Sequence, residues 1–201
     1  MRLIKEVAPW RAVGLVLALF WSLPAVGSDA IRLTPADPQP AAGSLQPGFA
    51  VKYAYPGDIK TLHQAESWRD HGPKPGPAII GFDYPDTLPG ENVMTSESSE
   101  YVIAFIDGYI SFAEPGTHYL EFWSNDGLRV EIGGTQVYEH DGRHPCESLG
   151  PQAVEVPEAG WYEVKALFFQ RRGTSCLLLK TKPPQGVLDW APLEIYAHVP
   201  E

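Results

Sequence analysis

Glycine and proline punctuate this chain throughout and leave few stretches free enough for a helix of ordinary length. Their 19 and 20 copies make up about one residue in five, and they group as turn signals at Pro115-Gly116, Gly133-Gly134 and between Pro157 and Gly160. Between the breaks, apolar residues alternate. Phe49, Val51, Tyr53 and Tyr55 interleave with Ala50, Lys52 and Ala54 at the two-residue period of a half-buried strand. Residues 101–112, 117–124, 128–132, 153–156, 161–170 and 175–180 read as further strands, and 193–198 as a closing one. Asp107-Gly108 reads as a bulge within its strand. One short helix is expected after Asp58, which offers an N-cap, with Ile59, Leu62 and Trp68 on one face and an end near His71-Gly72. The predicted fold class is mainly β, an antiparallel β-sandwich.

The first 27 residues follow a different rule. Arg2, Lys5 and Arg11 give a positive start, residues 12–23 are apolar except for Gly14 and Ser22, and Pro24 closes the run. That is the layout of a secretory signal peptide, too short to span a hydrocarbon core of about 30 Å. Ala25 and Gly27 suit a cut before Ser28. Residues 28–47, carrying Pro35, Pro38, Pro40 and Pro47, read as a Pro-rich linker, either a tether or an extended lead-in strand. The expected plan is therefore a signal peptide over 1–27, a linker over 28–47 and a sandwich domain over 48–201. Removing the signal peptide takes away three basic residues and one acidic one, so the net charge moves from -10 to -12. Nucleic acid is excluded as a partner, since phosphate binding needs a basic face. No second long apolar run follows, so the mature chain is expected to lack a transmembrane segment and to be exported, periplasmic or extracellular.

Three stretches together carry a family resemblance. Residues 115–134 read P-G-T-H-Y-L-E-F-W-S-N-D-G-L-R-V-E-I-G-G, residues 159–170 A-G-W-Y-E-V-K-A-L-F-F-Q, and residues 173–179 G-T-S-C-L-L-L. In this order they resemble the protective-antigen homology domain, PA14, over residues 48–199 and most strongly over 101–182. The resemblance implies a lectin-like β-sandwich of the kind carried by adhesins, glycosidases, toxins and envelope proteins, binding carbohydrate where a ligand is known. In sugar-binding members, two adjacent aspartates joined by a cis peptide hold a calcium ion, which in turn binds two sugar hydroxyls. The matching positions here are Asn125 and Asp126, followed by Gly127, where a positive φ is expected to reverse the chain. Asn125 removes one formal charge, although an amide oxygen still serves a cation that takes six to eight oxygens. Asp126 is thus a weak candidate metal ligand, and no cofactor besides calcium is implied. Read from the residues alone, Asn125-Asp126-Gly127 is also an ordinary hairpin turn. The resemblance places a second loop at the same end, and there Gln170, Arg171 and Arg172 complete the candidate ligand-binding set. Guanidinium groups bind carboxylates and sugar hydroxyls but repel a divalent cation; as exposed hairpin charges they would pair with nearby acids.

Cys146 and Cys176 are the only cysteines, and in an oxidising compartment a lone pair predicts a disulfide. His140 and His144, flanking Asp141, have spacing suited to zinc, but the sequence places no third ligand. Asp58, His63, Glu66, Asp70 and His71 lack the serine elbow, paired carboxylates or HExxH motif of a catalytic set, and read as a solvated helix face. Trp68 and Trp190 are the tryptophans expected to be freest to stack on a ligand. Three functions follow: a non-catalytic carbohydrate-binding module, a structural or assembly module binding another envelope component, and a small exported hydrolase.

Overall fold

The computed structural model describes residues 30–200, so the expected signal peptide lies outside the described residues. Its strands are β1 (Ile31–Arg32), β2 (Gln46–Pro47), β3 (Ala50–Ala54), β4 (Lys74–Pro75), β5 (Asp83–Tyr84), β6 (Val102–Phe112) and β7 (Gly116–Asn125). After these come β8 (Leu128–Ile132), β9 (Thr135–His140), β10 (Gln152–Val156), β11 (Gly160–Gln170), β12 (Cys176–Lys182), β13 (Asp189–Trp190) and β14 (Tyr196–His198). One α-helix, α1 (Leu62–Glu66), interrupts them. A six-stranded sheet has the order β1-β10-β7-β12-β13, with β5 also on β12; an eight-stranded sheet has the order β2-β14-β6-β11-β8-β9, with β3 on β6 and β4 on β3. All pairs are antiparallel except β1 on β10.

The alternation read from the sequence faces the gap between the sheets. On β7 the inward residues are His118, Leu120, Phe122 and Ser124, all buried; on β11 they include Tyr162, Val164, Ala166 and Phe168. Phe49, Phe82 and Tyr196 form the centre, with ring centroids 5.1 Å apart for Phe49–Phe82 and for Phe49–Tyr196. Each such side chain contributes about 1.5–3 kcal/mol by leaving water. Alternation fails at one end of the eight-stranded sheet, where residues 102–106 and 166–169 are buried on both faces. There α1 covers the outer face, and Ile59, Leu62 and Ala65 pack with Ile103, Phe105, Leu167 and Phe169.

Several local expectations are corrected. Thr61, not Asp58, is the N-cap of α1: its hydroxyl oxygen accepts the Gln64 N–H at 3.2 Å, while the Asp58 carboxylate pairs with Lys60 and Arg171. Trp68 is half-buried against the α1 cluster, and α1 is followed by a 3-10 turn, Arg69–His71, closed by Gly72 at φ 69°. Asp107 and Gly108 form no bulge, since β6 pairs with β11 in unbroken register through both. Gly108 is there for space, because a Cβ would lie 2.5 Å from Phe49 Cδ1 and 2.6 Å from the Ala197 carbonyl oxygen. The proline-rich stretch is a lead-in strand rather than a tether. Ile31 and Arg32 pair with Val154 and Glu155, Leu33 is buried, and the Gln39 amide both donates to the Trp161 carbonyl and accepts its N–H. Proline permits this because the strands concerned are two residues long and lie at sheet edges, where a missing N–H costs little.

Candidate functional site

The chain crosses twice between the sheets at one end of the sandwich. β7 lies in the six-stranded sheet and β8 in the eight-stranded one, so Asn125, Asp126 and Gly127 span the gap. β11 and β12 also lie in opposite sheets, and the segment between them crosses back. The crossings are neighbours, because Asn125 pairs with Cys176 in one sheet and Leu128 with Phe168 in the other. Neither turn is a hairpin, as the strands flanking each take partners elsewhere. The predicted site residues are thus brought together, though in unequal roles.

Asp126 holds the two crossings in contact. Its Oδ2 accepts the Arg171 N–H at 2.8 Å and its Oδ1 the His144 N–H at 3.2 Å. The Asn125-Asp126 peptide is cis, and the Asn125 amide donates to Thr174 Oγ1 at 3.1 Å. Both side chains are buried, with Asn125 7% and Asp126 5% exposed. Burial pushes the Asp126 carboxyl above its ordinary range, and the N–H groups of Arg171 and His144 pull it partly back.

Gly127 does not adopt the expected positive φ. Its small size is what matters: a Cβ would stand 2.3 Å from Phe169 Cε1, and its carbonyl accepts the Phe169 N–H at 3.0 Å. Gln170 is fully buried. Its amide nitrogen donates to the carbonyls of Arg172 at 3.0 Å and Thr174 at 2.7 Å, so it braces the loop from within. The Arg171 guanidinium bonds Asp58, and this bond first, then one from Lys60, holds the Asp58 carboxyl down to about 2. Arg172 is the exposed cation of the pair: its Nε bonds the Tyr101 hydroxyl, and its guanidinium carbon lies 5.0 Å over the Tyr101 ring. Glu66 is likewise committed, to Arg69 and Arg129. Trp190 is exposed on β13, with the Lys180 ammonium 4.6 Å above its ring.

The donor set does not fit a tight calcium cage. It centres on one carboxylate, both of whose oxygens already accept main-chain N–H groups, and Arg171 and Arg143 add positive charge nearby. Calcium takes six to eight oxygens, with anionic ligands setting its affinity.

The expected Cys146–Cys176 disulfide is formed, with Cα atoms 5.8 Å apart. It docks the loop after β9 beside the first crossing, where Ser124 and Glu147 exchange main-chain hydrogen bonds. Sequence reasoning missed His144 and Arg143 as neighbours of Asp126, and Thr174 as the partner of Asn125. The signal was present in the cysteine pair: Cys176 directly follows the second crossing, so residues around Cys146 must lie beside it.

No protein-family model and no curated protein matches this sequence. Solved structures share its fold. The PA14 sugar-binding domain from an RTX adhesin superposes with a TM-score of 0.62 at 14% identity, over 76% of this chain and 98% of that one. The PA14 domain of the MpAFP antifreeze protein gives 0.64 at 13% identity, over 81% and 96%. The Epithelial Adhesin 9 A domain from Candida glabrata, solved in complex with Galb1-3GlcNAc, gives 0.65 at 12% identity, over 85% and 96%.

Proposed function

We propose that this chain, whose fold is PA14-like, is an exported, non-catalytic carbohydrate-binding module whose ligand sits where the two crossings meet. One observation carries the reading: a buried carboxylate, Asp126, is clamped where the two crossings meet by main-chain donors from two separate loops. Support comes from the fold shared with an adhesin domain described as sugar-binding and with one solved holding a disaccharide. Asp126 accepts hydroxyl hydrogen bonds through its remaining lone pairs, since an ionised carboxylate has about four acceptor positions and two are used. Arg172, exposed beside it in sequence to the Asp126-bound Arg171, supplies charge-assisted donors and favours acidic saccharides. Calcium dependence is weak, for the charge reasons given above.

A glycan array of the full chain, run with and without calcium, followed by calorimetry on the best ligand, tests this. The expected result is binding that changes little on chelation, is lost in Asp126→Ala, and is weakened for acidic sugars in Arg172→Ala. Micromolar calcium binding abolished by Asp126→Ala would refute the weak-calcium reading. Sugar binding unaffected by that substitution would move the site.

A further inference from the structure

Beside Asp126, the loop pinned by the disulfide brings together three side chains that the proposed sugar site does not use. His140 ends β9 and His144 lies in the following loop; their imidazoles stack with centroids 3.5 Å apart and planes 6° from parallel. Glu147 Oε1 is 3.8 Å from His140 Nε2 and 4.0 Å from His144 Nδ1. Each residue offers one ligand atom within 4.8 Å of the others'.

Two things in this cluster are unexplained by packing. The His140 Nδ1 and His144 Nε2 atoms are buried without a hydrogen-bond partner, and the His144 side chain is only 7% exposed. Orphaned buried polar atoms are rare enough to call for a reason. Glu147 also faces both rings from beyond hydrogen-bond reach.

We infer that His140, His144 and Glu147 form a binding site for a divalent transition ion of the zinc class, with a fourth position open to solvent. The donor types select the ion. Two imidazole nitrogens and one carboxylate oxygen suit zinc, whereas calcium takes oxygen ligands. Ligand atoms around tetrahedral zinc stand about 3.3 Å apart and an imidazole ligates in its own ring plane, so the two parallel rings must turn out of their stack as the cluster closes; His144 Nδ1 bonds the Pro145 carbonyl at 3.0 Å, which leaves its unpartnered Nε2 as the ligand atom. The frame behind them is fixed. The His140 backbone pairs with Leu128, the Glu147 backbone with Ser124, and Cys146 is bonded to Cys176. Asp141 is not the fourth ligand, as its Oδ1 accepts the N–H groups of Leu62 and Gly142, both at 2.6 Å. Glu147, 47% exposed, leaves the remaining position to water or to a donor from outside.

Calorimetric titration of zinc chloride into the full chain, disulfide intact, tests the site, with thermal melts in parallel. The expected outcome is one zinc per chain, undisturbed by about a 100-fold excess of calcium, since the two ions prefer different donors. His140→Gln and Glu147→Gln each weaken zinc at least about tenfold, as loss of one ligand of three requires, and abolish its stabilisation of the melt. His71→Gln, at an exposed histidine on the turn after α1, leaves zinc binding unchanged. Because His140 and Glu147 are the more exposed members, their variants keep the fold, and a melt without zinc matching that of the parent chain verifies it. Absence of saturable binding, or affinity retained within about twofold in the His140→Gln/Glu147→Gln double variant, overturns the inference.

Discussion

Replacing Gly127 with alanine isolates a purely steric demand at the heart of the site. The residue is outside the left-handed region, so alanine meets no backbone penalty there. Its Cβ would instead lie 2.3 Å from Phe169 Cε1, 2.9 Å from Cδ1 and 3.1 Å from Cζ. Carbon atoms rest about 3.5–4.0 Å apart, so the ring must retreat by more than about 1 Å. It has nowhere to go: Phe169 is fully buried among Ile59, Leu62, Ala65, Ile103, Phe105 and Leu167, and its N–H is held by the Gly127 carbonyl. Overpacking of this kind costs about 1–3 kcal/mol. In a domain of this size that lowers the melting temperature by about 2–12 °C. Urea unfolding of disulfide-intact protein measures the loss directly. A double-mutant cycle with Phe169→Leu then assigns it, since shrinking the ring removes the clash. The double variant should be more stable than the sum of the single losses by about 1 kcal/mol or more. A Gly127→Ala protein within about 0.5 kcal/mol of the parent, or strict additivity in the cycle, would refute the steric reasoning.

The remaining expectations concern the disulfide, acid and processing. Replacing Cys146 and Cys176 together by serine frees a cross-link of 30 residues' separation and should cost about 3–4 kcal/mol in chain entropy, read by guanidinium unfolding. Acidification should weaken sugar binding above the pH at which an ordinary aspartate protonates, because burial raises the Asp126 carboxyl. The sign for stability is opposite: a raised carboxyl costs the fold most above its folded value and is relieved as pH falls through it, so binding should fade before any unfolding due to Asp126. Calorimetry and circular dichroism across the mildly acidic range separate the two. Mass spectrometry of chain recovered from its native host should find the amino terminus within a few residues of Ser28, and a full-length species inside the cytoplasm would contradict export.

The strand pattern was legible wherever one face of a strand is covered and the other wet. β8 runs over residues 128–132 as the alternation requires, β7 is longer than expected by one residue at each end, and β10 and β11 each begin one residue early and end as expected. Alternation carried no information at 102–106 and 166–169, because α1 buries the second face and no local pattern announces which strand a distant helix will cover. Gly127 shows a second limit. A glycine after two polar residues signals either a left-handed turn or a close approach, and only the position of Phe169 decides between them. Gln170 is similar: a polar residue ending an apolar strand reads as solvent-facing, yet it is buried and its amide nitrogen is spent inside its own loop. The spacing of His140 and His144 was visible, but Glu147 joins them through the pairing with Ser124 and the disulfide, contacts that span the chain.

The double crossing also has a mechanical meaning. A surface-anchored sugar held at Asp126 would tug on β7 and β8 through one turn and, through the Arg171 N–H, on β11 and β12 through the other. These four strands belong to both sheets, and each is an inner strand of its sheet. Peeling one strand away would require breaking hydrogen bonds on both its sides, whereas an edge strand unzips along one. Tension applied at such an anchor would be distributed into the whole sandwich, with the Cys146–Cys176 bond as a covalent backstop beside it.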